Sequence, residues 1–312
     1  WQFVQQSSFS YAAIRKVHIR DAKGAAMKST VGFIGLGAMG YGMARNLVVK
    51  GLDILAYDLN SEPLQRLVQQ GGRQAESVEE IGRSCQQVMV MVVDGEQVEK
   101  VVCAPGGLLE TMKDGVILIH STIALSELRR IASTAETSDV TIIDCPVSGG
   151  VAGADEGTLT MLCGGDMSAF DAQRPLLDAV ATNVTHLGPL GAGMVGKLAN
   201  NLILGVGRLA IAEAFAMARK AGLSTEDLYQ TMITCTADSK QLRGLEGALV
   251  RGEYPSRTFL GLKDLSAAID SGATVGQAMP ITGLARELYR LIDDKSGGLD
   301  GSDEVLRFLL DN

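Results

Sequence analysis

The sequence lacks the patterns that mark several common classes of protein. Lys and Arg total 28 against 36 Asp and Glu, so the net charge of −8 offers no basic surface of the kind with which nucleic-acid recognition begins. The 5 cysteines are widely spaced without a C-x-x-C pair, which argues against a secreted disulfide scaffold and predicts buried thiols in a reducing compartment. No uninterrupted apolar run is long enough to span a bilayer. We therefore expect neither nucleic acid nor membrane as a partner.

Patterns for metal binding are scarce as well. The sequence holds only 3 histidines, and no cysteine, histidine or pair of carboxylates stands at the spacing of metal ligands. Internal repeats and low-complexity tracts are also missing. We therefore predict no metal site, so any redox chemistry would depend on an organic cofactor alone.

The strongest positive signal is a glycine-rich turn between a short apolar strand and a helix. Residues 31–40 read VGFIGLGAMG, which contains a G-x-G-x-x-G motif. Gly35 allows the tight turn, Gly37 leaves room for a pyrophosphate, and Gly40 lets the helix pack close to the strand. The free N–H groups at the start of the helix then face the phosphates. The motif predicts a dinucleotide site formed by Gly35, Leu36, Gly37, Ala38, Met39 and Gly40.

An acidic residue follows the second predicted strand. Residues 53–57 read DILAY and end at Asp58, close to the spacing at which a carboxylate reaches the ribose hydroxyls. The charge of Asp58 would repel the additional phosphate of NADP. The sequence therefore predicts NAD as the cofactor, with NADP disfavoured.

Alternating strand and helix patterns extend to about Gly188. They predict an α/β fold with a doubly wound, mostly parallel Rossmann-type sheet. Further strands are predicted at residues 88–93, 116–119 and 140–143, and at an antiparallel edge over 158–162. The strand pattern then ends, and residues 194–221 predict one long helix, about 42 Å at 1.5 Å per residue. We expect a dinucleotide-binding domain over 27–190 and an all-helical domain for substrate binding and oligomerisation over 191–312.

Residues 1–26 show no periodicity that would place them in this fold. Basic residues and serines outnumber the single acid, Asp21, a composition loosely similar to that of a mitochondrial transit peptide. We interpret this extension as a targeting segment, an expression remnant or upstream translation. The expected location is cytoplasmic, or the mitochondrial matrix if the extension is a transit peptide.

Three later segments carry a family resemblance. Residues 146–150 read PVSGG, residues 191–201 read GAGMVGKLANN, and residues 259–265 read FLGLKDL. Together with the glycine-rich turn, they resemble the motifs of the 3-hydroxyisobutyrate dehydrogenase family, also called β-hydroxyacid dehydrogenases, in the right order. The chain is also similar to L-threonate dehydrogenases and tartronate semialdehyde reductases, and the motifs do not separate these enzymes.

Oxidising an alcohol requires a group that takes the hydroxyl proton while hydride leaves. Lys197 can serve if burial or a neighbouring cation such as Lys263 lowers its pKa from about 10.4 toward neutrality. Asn201 lies four residues later, so both side chains project from one helix face. The resemblance implies that Lys197 is the acid/base and that Asn201 orients the substrate. None of the histidines has the context of a dehydrogenase base, and His120 is interpreted as a strand-end residue.

The resemblance implies the remaining site residues. Ser148, Gly149 and Gly150 would bind the substrate carboxylate through a hydroxyl and backbone N–H groups. The other implied cofactor contacts are Val92, Val93, Thr122 and Lys263. Val92-Val93 stands where Leu-Pro is frequent in the family, and His120 stands where a small or acidic residue is usual. From the residues alone, Lys263 could equally be a surface lysine paired with Asp264.

The favoured function is that of an NAD-dependent oxidoreductase. It would interconvert a small β-hydroxy acid, of the 3-hydroxyisobutyrate, L-threonate or glycerate type, with its semialdehyde or keto acid. The alternatives are a non-catalytic NAD(P)-binding scaffold, a 6-phosphogluconate dehydrogenase-like enzyme and an imine reductase. The long apolar helix predicts a homo-oligomer, and the resemblance implies a dimer or tetramer.

Overall fold

The computed structural model describes residues 30–254, 261–296 and 302–311. The predictions for residues 1–26, and for Phe259 and Leu260 of the third motif, lie outside this part of the chain.

One sheet organises the amino-terminal part of the described chain. Its strands are β1 (Val31–Ile34), β2 (Ile54–Tyr57), β3 (Arg73–Gln74), β4 (Gln87–Val90), β5 (Gly115–Ile119), β6 (Val140–Asp144), β7 (Val147–Ser148), β8 (Leu159–Gly164) and β9 (Ala181–Gly188). They are ordered β3-β2-β1-β4-β5-β6-β8-β7, and β9 pairs with β8. The first six strands run parallel. The order reverses between β1 and β4, which creates the crevice where doubly wound sheets bind ligands.

Helices cover both faces of this sheet. They are α1 (Gly40–Val49), α2 (Ser61–Gln69), α3 (Val78–Ser84), α4 (Gly95–Cys103), α5 (Leu108–Thr111), α6 (Leu125–Ala135), α7 (Gly150–Glu156) and α8 (Met167–Leu177). Alternate residues of one strand enter different cores: Phe33 packs with the α1 side, whereas Ile34 packs with the α3 and α6 side. Both faces are therefore buried, as the unbroken apolar strands require.

Two strand predictions need correction. The strand predicted over 88–93 ends at Val90. Met91 N–H still donates to Ile34 O, but the Val92 N–H donates to the Ser121 hydroxyl instead of a neighbouring strand. The strand predicted over 158–162 is antiparallel to β6 and β7 as expected, but it is not an edge, because β9 pairs along its other side. The exposed polar residues of β9 hid that strand in the sequence.

The remainder of the described chain is helical. It comprises α9 (Ala192–Lys220), α10 (Thr225–Met232), α11 (Lys240–Gly244), a π-helical turn (Gly247–Arg251), α12 (Gly261–Thr274), α13 (Pro280–Ser296) and α14 (Ser302–Asp311). Ser224 caps α10 by accepting a hydrogen bond from Asp227 N–H. This arrangement confirms the predicted fold class, a Rossmann-type sheet followed by a helical part with one long helix.

The long helix α9 carries buried polar residues. By length and composition it is the one helix in the described residues that could cross a membrane. Its inward face nevertheless holds Lys197, Asn201 and Arg208, and the helix packs against α12, α13 and α14. Charged and polar side chains of α9 therefore lie in the packed interior of the described chain.

The prediction that all five cysteines are buried is wrong for two of them. Cys85, Cys145 and Cys163 are buried, Cys103 is half-buried and Cys235 is exposed, and all five are free thiols. Cys235 lies in a turn that follows α10.

Candidate active site

The glycine-rich turn follows β1 at the crevice. Gly35 has φ of 96°, and an added Cβ would overlap the Met91 carbonyl oxygen. A Cβ on Gly40 would overlap the Gly35 carbonyl oxygen. Gly37, by contrast, has nothing within 4 Å of such a Cβ, so the outer side of the turn is open. The turn therefore leaves the space that the close approach of a pyrophosphate requires.

Asp58 lies beside this turn at the carboxyl end of β2. Its Oδ2 accepts a hydrogen bond from Leu36 N–H at 2.6 Å, and its Oδ1 accepts one from Asn60 N–H at 2.7 Å. Each carboxylate oxygen retains a second lone pair for a further donor, such as a ribose hydroxyl. The residues present thus fit a dinucleotide, with Asp58 both shaping the turn and presenting a negative charge.

Two further loops line the crevice after β4 and β5. Ser121 joins them, because its hydroxyl accepts from Val92 N–H at 2.9 Å and donates to Val92 O at 2.8 Å. Val93 is exposed and Thr122 is half-buried in these loops. The structure therefore holds the predicted cofactor contacts Val92, Val93 and Thr122 on neighbouring loops.

His120 is a structural residue at the end of β5. It is fully buried, and its Nδ1 lies 2.9 Å from Cys145 O. Burial lowers the pKa of His120 to about 4, so the ring is neutral at ordinary pH. It is therefore not suited to exchange protons with a substrate.

Lys197 and Asn201 lie on the inward face of α9. Lys197 is 9% exposed and Asn201 4% exposed. Burial lowers the pKa of Lys197, the charge of Asp264 opposes this change and the charge of Lys263 adds to it. The structure thus provides a lysine whose neutral form is more accessible than that of a solvated lysine.

A buried carboxylate connects α9 with α12. Asp264, 6% exposed, accepts a hydrogen bond from Asn201 Nδ2 at 2.8 Å, and its Oδ1 lies 3.9 Å from Lys263 Nζ. Asn201 Oδ1 in turn accepts from Asn200 Nδ2 at 3.0 Å. Asp264 therefore fixes the amide of Asn201, and Lys263 lies near enough to Lys197 for its charge to lower the pKa of that lysine.

The loop of the PVSGG motif lies at the end of β7. Gly149 and Gly150 have φ of 136° and 66°, values that side chains disfavour. Both glycines are exposed, and nothing lies within 4 Å of a Cβ added to Gly150. β7 pairs with β8, and α9 packs on β8, so β8 connects the strand that leads into this loop with the helix that carries Lys197.

Comparisons with known proteins agree with this architecture. Residues 30–188 match the family described as the NAD binding domain of 6-phosphogluconate dehydrogenase. Residues 191–309 match the family described as NAD-binding of NADP-dependent 3-hydroxyisobutyrate dehydrogenase. A probable mitochondrial 3-hydroxyisobutyrate dehydrogenase of Dictyostelium discoideum is 33% identical over 91% of this chain and 91% of the relative. The chain belongs to the 3-hydroxyisobutyrate dehydrogenase family.

Other relatives of this family extend the comparison. The NAD-dependent L-serine dehydrogenase of Pseudomonas aeruginosa is 33% identical over 90% of this chain and 97% of its own length. The solved structure of Mycobacterium tuberculosis 3-hydroxyisobutyrate dehydrogenase with L-serine has a TM-score of 0.82 and 29% identity, covering 90% of this chain and 99% of the other. The resemblance predicted from the motifs is confirmed. The protein is an NAD(P)-dependent hydroxyacid dehydrogenase of this family.

Sequence reasoning missed two carboxylates in this family member. Asp264 was considered only as a surface partner of Lys263, yet it is buried and binds Asn201. Asp144, at the end of β6, was assigned no role, yet it accepts hydrogen bonds from two N–H groups at the start of α9. The sequence signal for each was its position: Asp264 lies within a family motif, and Asp144 lies two residues before one, at the end of an apolar strand.

Proposed function

We propose that the protein interconverts a small β-hydroxy acid and its semialdehyde or keto acid, with Lys197 exchanging the hydroxyl proton. The observation that carries this proposal is the burial of Lys197 beside Asn201 and Asp264. An amine held out of water near a buried carboxylate and amide is suited to proton transfer rather than to solubility.

Each residue of the proposed site has a separate role in the reaction. In oxidation, neutral Lys197 accepts the hydroxyl proton, and in reduction the ammonium returns it. Asn201 uses one amide hydrogen to bind Asp264, so its second amide hydrogen is available to orient the reacting oxygen. Ser148, Gly149 and Gly150 would bind the carboxylate of the substrate. The nicotinamide, when bound, supplies the hydride acceptor or donor, and Lys263 would lie beside it.

The proposed substrate class rests on the relatives and on the loop Ser148–Gly150, here named the anion loop. The names of the relatives include 3-hydroxyisobutyrate and L-serine dehydrogenases, and both compounds are carboxylic acids with a hydroxyl on the β carbon. We test the proposal with the purified protein, NAD or NADP, and 3-hydroxyisobutyrate, L-threonate, D-glycerate and 4-hydroxybutyrate. Turnover of a β-hydroxy acid above that of 4-hydroxybutyrate supports it. A protein that binds NADH but converts no acid or semialdehyde would instead be an NAD(P)-binding scaffold.

We propose NAD rather than NADP as the cofactor used. The support is the carboxylate of Asp58, held beside the turn by Leu36 N–H. Asp58→Asn keeps an acceptor for that N–H but removes the charge, so the ratio of kcat/KM for NADP to that for NAD should rise about tenfold. An unchanged ratio, or wild-type protein that prefers NADP, would contradict the proposal.

We further propose that residues 27–190 form the NAD-binding domain, which also carries the anion loop, and that residues 191–312 form the helical domain for substrate binding and assembly into a homodimer or homotetramer. Exposed apolar side chains on α9 and α13, including Ile203 at 68% and Leu284 at 66%, support an interface. Light scattering of the purified protein tests this assembly, and a monomer at micromolar concentration contradicts it. The proposed location is cytoplasmic, or mitochondrial if residues 1–26 direct import.

A further inference from the structure

The start of α9 is held by a carboxylate that comes from the sheet. Gly191, the N-cap residue, has no side chain and φ of 96°. Asp144 replaces the missing cap: its Oδ1 accepts from Gly191 N–H at 2.7 Å and its Oδ2 from Met194 N–H at 2.6 Å. These partners lie 47 and 50 residues away in sequence. This cap therefore connects the end of β6 with the start of α9, two segments that are distant in sequence.

Glycines around Asp144 allow the backbone of neighbouring elements to approach its carboxylate closely. A Cβ on Gly193 would overlap Leu162 O and lie 2.8 Å from Asp144 Oδ2. A Cβ on Gly164, which pairs with Asp144 across the sheet, would lie 2.6 Å from Asp144 Oδ1. Asp144 itself is fully buried. Only glycines permit this close approach of α9 to β6 and β8.

Asp144 also stands between two parts of the proposed site. Ser148 follows it by four residues, through Pro146 and the short strand β7. On the other side, Lys197 lies one helical turn after Gly193, so it moves with the first turn of α9. A single carboxylate thus joins the start of the anion loop to the start of the helix that carries the amine.

We propose that Asp144 is a positioning residue that sets Lys197 relative to the loop Ser148–Gly150. This inference rests on the proposed function, because it assigns to Asp144 the placement of the proposed acid/base. In this role Asp144 contacts neither the substrate nor the cofactor. It acts by fixing the first turn of α9 with both carboxylate oxygens.

The test is the isosteric variant Asp144→Asn. Its amide offers one acceptor oxygen, and its NH2 group confronts the second backbone N–H, so the first turn of α9 must shift. Because displacement of a reacting group by 1 Å can cost about 10²-fold in rate, we expect kcat to fall about 100-fold. The Kd of NADH should stay within about twofold, since the glycine-rich turn lies on other strands.

A pH profile separates positioning from a general loss of structure. Burial lowers the pKa of Lys197, the charge of Lys263 adds to this change and the charge of Asp264 opposes it. A shifted first turn would expose Lys197 to water, so the rise of the oxidation rate with pH should move to higher pH in Asp144→Asn. A matched control is Asp166→Asn, which alters the cap of α8, where Asp166 accepts from Ala169 N–H, and should leave kcat and the profile unchanged.

Two further variants keep the outcomes distinct. Gly193→Ala leaves Asp144 in place but pushes the helix away from it, and should reproduce the loss of kcat if Asp144→Asn does not fold. A folded Asp144→Asn or Gly193→Ala with kcat within threefold of wild type overturns the inference, as does an equal loss of NADH binding. Lys197→Ala, measured in parallel, tests the proposed function. Full turnover of Lys197→Ala overturns both the proposed function and the role of Asp144. If Lys197→Ala is inactive and Asp144→Asn is active, only the role of Asp144 is overturned.

Discussion

The sheet part of the molecule (residues 30–188) and the helical part (residues 192–254, 261–296 and 302–311) build their share of the site in different ways. In the sheet part, the turn at Gly35–Gly40 is shaped by backbone geometry and the absence of side chains. In the helical part, Lys197, Asn201 and Asp264 are buried charged or polar side chains, and Asn201 donates a hydrogen bond to Asp264. The glycine-rich turn therefore depends on local steric constraints. The buried polar side chains of the helical part depend on contacts between segments that are distant in sequence.

The largest effect is expected from Lys197→Ala in the helical part. If proton exchange belongs to the helical part, kcat should fall about a thousandfold, within the range of general acid–base catalysis, while the Kd of NADH is unchanged. Steady-state reduction of the semialdehyde and NADH fluorescence measure the two quantities. Lys220→Ala, in the exposed last turn of the same helix, serves as the control and should retain full turnover.

In the sheet part we expect a loss of cofactor affinity instead of a loss of proton exchange. Gly37→Ala adds a methyl group where nothing lies within 4 Å, so the fold should be unaffected. The methyl group would occupy the space proposed for the pyrophosphate, and we expect the Kd of NADH to rise at least about tenfold. Gly244→Ala, another glycine with open space, is the control. Unchanged NADH affinity in Gly37→Ala would place the pyrophosphate elsewhere.

The buried charges of the helical part should control the pH dependence. Oxidation requires neutral Lys197, so its rate should rise with pH through the pKa of that lysine, which burial lowers. Asp264 raises this pKa and Lys263 lowers it, so Asp264→Asn should move the rise to lower pH and Lys263→Met to higher pH. Rate profiles between about pH 6 and pH 11, a range that includes the ordinary lysine pKa of about 10.4, measure this. Shifts in the same direction would show that another group controls the rate.

The smallest effect concerns the contact between the two parts. Leu125 N–H, at the start of α6, donates to Ser271 Oγ of α12 at 2.9 Å. Ser271→Ala leaves this buried N–H without an acceptor and should lower the free energy of unfolding by about 1 to 2 kcal/mol. Ser266→Ala on the same helix removes only a hydroxyl that bonds Leu262 O within α12, so it should cost less in urea denaturation. Equal costs would indicate that the contact between the parts adds nothing.

Much of the fold was predictable because its signals are local. The apolar strands, the glycine-rich turn and the long helix depend on the order of neighbouring residues, and the structure has all three. The strand β9 was missed because its exposed side chains break the apolar pattern. The end of β4 at Val90 was misplaced because a hydrogen bond to Ser121, far along the chain, decides it.

By itself, the sequence determined the fold class, the family and the residues on which the site is proposed to depend. Backbone sterics at glycines and the period of apolar residues act within a few positions, so they are legible without a structure. Only the tertiary structure decided that Asp264 binds Asn201 across 63 residues and that Asp144 caps α9. Burial and charge act between segments that folding brings together, and for this reason the lowered pKa of Lys197 belongs to the fold rather than to its motif.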